Sequence, residues 1–308
     1  MAVPTHFGKE SEVSAPQSSR QTARWYMQVA NAFRHDPRLW FGVVLLLYII
    51  AAIFAPAISP YSPLLYHPSI ATQPPSLAHL LGTDALGRDQ LIRVIYGTRI
   101  SLSVGIVTIL LGGIFGTFLG LIAAYFKGWV DQVITMVVDA ILSFPSIVLA
   151  LAIVAALGPS IINLALALAF VRIPIYSRIA RGQTLQVANQ EYVIAAVSNG
   201  TQTWKILWRH ILPNIFSPLL VQATISISFA ILDESVLSFL GLGIEPPTPE
   251  WGAMINDAQI YLTSDPWMLL APALAIILVV LSLNLLGDAI RDRLDPRDSV
   301  RAMEVARE

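Results

Sequence analysis

No cysteine occurs in this sequence, so neither a disulfide nor a thiolate metal site can be built from it. Charge is scarce too: 13% of the residues are Asp, Glu, Lys or Arg, against about 25% in soluble domains. The lysines are Lys9, Lys127 and Lys205, and none closes a Gly-x-x-x-x-Gly-Lys-Ser/Thr phosphate loop, which removes that route to ATP. His6, His35, His67, His79 and His210 contain no i, i+4 pair and no zinc-protease pattern, which argues against an intramembrane metalloenzyme. Basic residues gather only beside apolar segments and form no patch for nucleic acid. No catalytic constellation is visible. What abounds is apolar: 55% of the chain is hydrophobic and the mean hydropathy is +0.65, the composition of an all-α integral membrane protein with lipid as its solvent.

A helix rises about 1.5 Å per residue and the hydrocarbon core is about 30 Å thick, so about 20 apolar residues make a crossing. Six transmembrane helices are predicted on this basis, over residues 40–58, 100–126, 133–157, 161–179, 215–240 and 266–287. The second carries Gly105, Gly112, Gly113, Gly116 and Gly120, small residues that let helix backbones approach within a membrane bundle. Gly158-Pro159-Ser160 reads as a tight turn between the third and fourth, and the fourth is interrupted by Arg172 and Pro174.

The predicted organisation is a tail over 1–38, a transmembrane domain over 39–290 with an outer loop at 60–99 and a cytoplasmic loop at 180–214, and a second tail over 291–308. The first 22 or so residues are too polar to offset their ordering entropy and read as disordered. A secretory signal would place an apolar core near the start, whereas the first such run begins near Leu39. Lys9, Arg20, Arg24, Arg34 and Arg38 precede the first span. Lys127, then Arg178, Arg181, Lys205 and Arg209, then Arg291, Arg293, Arg297, Arg301 and Arg307 fall on the same face. The other face has Arg88, Arg93 and Arg99. The positive-inside rule therefore predicts cytoplasmic N- and C-termini.

Within the 180–214 loop, residues 190–199 have helical composition with the paired small residues Ala195 and Ala196, and Gly200 is suited to a left-handed cap. Thr201 is a candidate cap for a second helix. There Trp204, Leu207, Trp208, Ile211 and Leu212 form one apolar stripe at helical spacing, opposite Gln202, Lys205 and Arg209, and Pro213 is expected to end it. Two readings fit: a helix lying on the lipid surface, or a docking element whose small side chains enter a groove on a cytoplasmic partner.

Ala195-Ala196, Gly200 and Ile211-Leu212-Pro213 resemble the Glu-Ala-Ala…Gly…Ile-x-Leu-Pro loop of ABC importer permeases, although Ile194 stands where that loop usually has Glu. Glu191, one turn earlier, is the nearest acid. Gly82-Thr83-Asp84, Gly87-Arg88-Asp89 and residues 97–102, residues 237–243 with the prolines at 246, 247 and 249 and Trp251-Gly252, and finally Gly287-Asp288 with Asp295-Pro296-Arg297 resemble the dipeptide/oligopeptide/nickel branch, in particular its C-type subunit, over about residues 39–298.

The resemblance implies a type I ABC importer permease (MetI-like) fold in a bacterial inner membrane, and a chain that is no enzyme and binds no cofactor. It further implies a second homologous permease as heterodimer partner, two ATP-binding subunits that hydrolyse ATP with Mg, and an extracytoplasmic substrate-binding protein. The coupling residues would be Glu191, Ala195, Ala196, Gly200, Trp204, Leu212 and Pro213. The outer motif Gly82, Thr83, Asp84, Gly87, Arg88 and Asp89 would meet the binding protein, or else form an ordinary polar turn. Di- and oligopeptides are the leading cargo. Nickel chelates, glutathione and an ion-coupled secondary carrier are the alternatives.

Ionisable groups inside a span invite a functional hypothesis. Counted along their helices, Asp139 and Arg172 come level, and an ion pair between them is expected, chiefly to orient two helices. Asp233 and Glu234 are expected near the outer headgroups, solvated there, or with Glu234 facing the translocation path and a substrate amine.

Overall fold

A computed structural model describes residues 36–58 and 62–294. The tails predicted over 1–38 and 291–308 therefore lie mostly outside the described residues. The elements are α1 (Leu39–Ile53), α2 (Gln90–Phe126), α3 (Gly128–Leu142), α4 (Ser146–Leu157), α5 (Ile161–Val187), α6 (Glu191–Ser198), α7 (Thr203–Phe239), α8 (Trp251–Ala258) and α9 (Trp267–Leu294), with single turns at Ala55–Ile58 and Pro68–Ile70. Among the described residues there is no strand, only one isolated bridge between Thr83 and Asp89.

Among the described residues four helices, α2, α5, α7 and α9, are long and apolar enough to cross a membrane unaided. The other two expected crossings differ from a straight span. The third is broken into α3 and α4, which meet at 88°. Pro145 opens α4; it has no N–H to continue the ladder, and its ring drives the preceding residue away from helical geometry. At 15 and 12 residues the halves reach about 22 and 18 Å, short of a 30 Å core. The first crossing is the 15-residue α1, interrupted at Phe54 before the short Ala55–Ile58 turn.

The unbroken helices run longer than their apolar stretches. α2 starts ten residues before the predicted span, because Asp89 caps it by accepting from the Ile92 N–H at 3.0 Å. Arg93 and Arg99 therefore stand on this helix and not in the outer loop. Ser160 caps α5 in the same way, accepting from the Asn163 N–H at 3.1 Å, and α5 runs through Arg172 and Pro174 to Val187. Neighbouring helices tolerate such a proline where an isolated helix would end.

The tightest contact joins α2 to α5. A methyl on Gly112 would stand 2.8 Å from the Ala169 carbonyl oxygen, and Gly116 and Gly120 lie closer still to those of Ile173 and Ser177. These are i, i+4, i+8 rows on both helices, so their backbones touch along one stripe. Within lipid no hydrophobic drive pulls helices together, and close dispersion contact of this kind must do so. On the far side, Ile231 of α7 and Val279 and Ala275 of α9 pack with Leu45 and Trp251 in a second apolar cluster.

Candidate functional site

The chain between α5 and α7 forms an elbow whose shape follows from local chemistry. Gly200 takes φ +72°, where a side chain would be strained. Around it the Gly200 N–H donates to Val197 O at 2.9 Å and the Thr201 N–H to Ala196 O at 3.1 Å, the paired bonds of a Schellman cap closing α6. A Cβ at Gly200 would meet nothing within 4 Å, so conformation alone, not crowding, asks for glycine here.

The alanine pair splits. Ala196 packs inward on the cluster that buries Val193, while Ala195 is exposed with Tyr192, Ile194 and Val197. The two small residues thus do not share one partner-facing surface. Glu191 is exposed in the first turn of α6, where its charge suits the helix dipole.

The second half of the elbow departs from its predicted form in three ways. Gln202, not Thr201, occupies the cap position, without a side-chain bond. Pro213 does not stop the helix; it lies in the first turn of the segment that becomes the fifth span, so α7 is continuous from the elbow into the membrane. The stripe is also rotated. Ile206, Leu207 and Ile211 are buried, whereas Trp204 is 60% and Trp208 49% exposed, their rings edge to face at 5.1 Å.

One cause explains the last two departures. Residues 206–211 form a π-helical turn, in which residues five apart align, bringing Ile206 over Ile211. The wide turn lies immediately before Pro213, which lacks the N–H of a regular ladder and whose ring crowds the preceding turn. Leu212 is half-buried on the same core as Val193 and Ala196. The elbow therefore grips α7 through Val193, Ile206 and Ile211, leaving an apolar outer face of Tyr192, Ile194, Val197, Trp204 and Trp208.

The expected pair between Asp139 and Arg172 does not form. Asp139 binds Arg178 at 2.6 Å on an exposed surface, and Arg172 binds Asp233. A straight third span would bring Asp139 level with Arg172; the 88° fold at Ser143–Pro145 turns α3 aside and brings Asp139 to a residue nearer the C-terminal end of α5. A second pair, Asp131 with Arg181, has two contacts of 2.6 Å and anchors α3 to α5.

Asp233 consequently lies beside a cation. Glu234 is wholly buried, neither solvated nor on an open path; Ser235 Oγ donates to it at 3.3 Å, and Glu250 lies against it. Glu250 caps α8 by accepting from the Gly252 and Ala253 N–H groups at 2.6 and 2.9 Å, while its burial pushes its carboxyl above the usual range against the pull of those amides. The sequence reading passed over Glu250; its signal was an acid immediately ahead of the helical Trp251-Gly252 run.

The outer motif folds upon itself. Asp84 accepts from the Leu86 and Arg88 N–H groups at 2.9 Å each and pairs with the Arg88 side chain at 2.6 Å; Arg93 approaches the same carboxylate at 3.6 Å. Asp89 holds His79 Nδ1 at 2.8 Å besides capping α2. Gly82 and Gly87 take positive φ, and a Cβ on Gly87 would strike the His67 carbonyl. Thr83, Asp84, Arg88 and Asp89 are buried, so these residues shape the loop rather than present themselves to a partner. Beside them opens a cavity of about 460 Å³, bordered by Arg88, Arg93, Asp257 and Tyr261. Burial raises the Asp257 carboxyl while Arg93 and Arg88 oppose it.

Long apolar helices, charges paired within the bundle and a helical elbow continuous with a span define a multi-pass membrane protein. The chain belongs to the family described as binding-protein-dependent transport system inner membrane component, which it matches over residues 116–299. It is 44% identical to the dipeptide transport system permease protein of Alkalihalophilus pseudofirmus, covering 83% of this chain and 84% of that one. It is 44% identical to the glutathione transport system permease protein of Pectobacterium atrosepticum, over 83% and 85%. The di/tripeptide transport system permease protein of Pseudomonas aeruginosa is 42% identical over 87% and 90%. A crystal structure of an amino acid ABC transporter shares the fold, with a TM-score of 0.50 at 17% identity over 66% of this chain and 94% of that one. This chain is thus a membrane component that works with a binding protein, and not itself an enzyme.

Proposed function

We propose that the chain is the C-type permease subunit of an ATP-driven importer of di- and oligopeptides in the bacterial inner membrane, with both termini cytoplasmic. It pairs with a second, similar permease. Two cytoplasmic subunits bind ATP and Mg, and an external binding protein delivers the peptide. The observation that carries this reading is the elbow: α6 is locked by Val193 and Ala196 onto the root of α7, and α7 enters the membrane without a break. A push on the exposed face of α6 is thereby passed to a spanning helix, which can open the bundle to either side in turn. The dipeptide and di/tripeptide relatives support the cargo, and the relatives that carry glutathione, itself a tripeptide with a free amine, support a second cargo of the same chemistry. Among the described residues no group of three or more His, Asp or Glu side chains could hold a nickel ion, and membership of a binding-protein-dependent family speaks against an ion-coupled carrier.

The test is uptake by the reconstituted complex. Gly200→Val should leave membrane insertion intact and abolish ATP-dependent dipeptide uptake, and affinity-purified chain should retain an ATPase subunit. Uptake that follows a proton gradient with no ATPase attached rejects the reading.

A further inference from the structure

The Arg172–Asp233 pair is unequally covered: the Arg172 side chain is 9% exposed and that of Asp233 19%. Arg172 takes Asp233 Oδ2 through one terminal nitrogen, while its Nε is buried without a partner. The stem of Arg172 is held against α2, where a methyl on Gly112 would stand 2.9 Å from its Cβ. The cation is therefore fixed from behind, and the carboxylate is the part that reaches the surface.

That surface lies on a spanning helix. A carboxylate does not face acyl chains at such a position; it faces the interior of an assembly or a water-filled space. Gln222, Ser226, Phe229 and Asp233 fall within an arc of about 60° on α7, so they share one face. Gln222 Nε2 donates to Ser226 Oγ at 2.9 Å, so the stripe carries polar groups there too, Ser226 itself being buried. Phe229, one turn from Asp233, is 52% exposed, and its ring already receives the Arg172 guanidinium at 6.0 Å. An anion beside an open aromatic face is the environment in which an ammonium ion is held.

We propose that Asp233 and Phe229 form a subsite for the primary ammonium group of the transported substrate, with Arg172 as the residue that positions the carboxylate. This rests on the importer reading and adds to it that cargo is recognised inside the membrane by its free amine. No bond is made or broken; the substrate ammonium donates to the outward oxygen of Asp233 while the inward oxygen stays on Arg172.

The experiment uses the complete complex in proteoliposomes with its binding protein and dialanine as the probe. Asp233→Asn should lower uptake by about tenfold or more, the weaker end of what a hydrogen bond to a charged group contributes, chiefly through KM. Asp233→Glu should recover most of it. Phe229→Ala, at an exposed position, should raise KM about threefold. The double exchange R172D/D233R restores a buried pair but presents a cation, and it should assemble without importing dialanine. Recovery of uptake in that exchange, or wild-type KM in Asp233→Asn, overturns the proposal. If Asp233→Asn fails to assemble, Phe229→Ala decides, and an unchanged KM there overturns it. A wild-type complex that hydrolyses ATP yet imports neither dialanine nor glutathione rejects the peptide reading itself, before any variant is made.

Discussion

Gly200 and Asp89 illustrate how much one residue can hold. A side chain at Gly200 meets open space, so replacement costs only the left-handed conformation, about 1–2 kcal/mol. Gly200→Ala should therefore fray α6 without unfolding the bundle, seen as faster amide exchange at residues 196–201 and reduced uptake. Asp89 closes α2 and holds His79. Asp89→Ala should destabilise the detergent-solubilised protein by about 1 kcal/mol for the cap, with further loss from His79, read as a lowered Tm; an unchanged Tm would deny the cap any weight. Gly200 was legible in the sequence, because a glycine after a helix acts through its own backbone neighbourhood, whereas the capping role of Asp89 was hidden by a helix that starts ten residues before its apolar stretch. The burial of Glu234 was hidden too. An acid two turns from the end of a span looks solvated in one dimension, and only the return of α8 across α7 buries it.

At the scale of elements, the α2–α5 contact and the α3–α4 fold make opposite demands. Gly116→Leu forces a side chain against the Ile173 carbonyl. The two helices must then separate along the whole stripe, and the expected result is loss of folded protein on size-exclusion chromatography. Ile211→Ala removes a fully buried side chain beneath the elbow and should cost about 2–5 kcal/mol, with uptake falling further than thermal stability alone accounts for, since the link from α6 to α7 loosens. The glycine stripe was visible as a spacing of four. The elbow's buried face was misjudged because its stripe was drawn at 3.6 residues per turn, and the π turn ahead of Pro213 rotates it to Ile206 and Ile211. The fold at Pro145 was likewise hidden inside an apolar run: hydropathy measures length along the chain and not direction in space.

For the whole molecule, composition alone requires a lipid solvent, and the distribution of Lys and Arg predicts cytoplasmic ends; reporters active only in the cytoplasm, fused to each terminus, should both report. Low charge, apolar runs of crossing length and the glycine spacing are properties of the chain read in order, so the sequence determined a helical membrane bundle with a helical elbow between two spans. Which charge meets which was decided by the tertiary structure. Asp139 turns to Arg178 and Arg172 to Asp233, while Glu234 is buried beside a second acid, Glu250, because a broken third span and a returning outer helix set the distances between residues far apart in sequence. A buried charge demands a partner within about 4 Å, and the linear sequence states the demand without stating the neighbour.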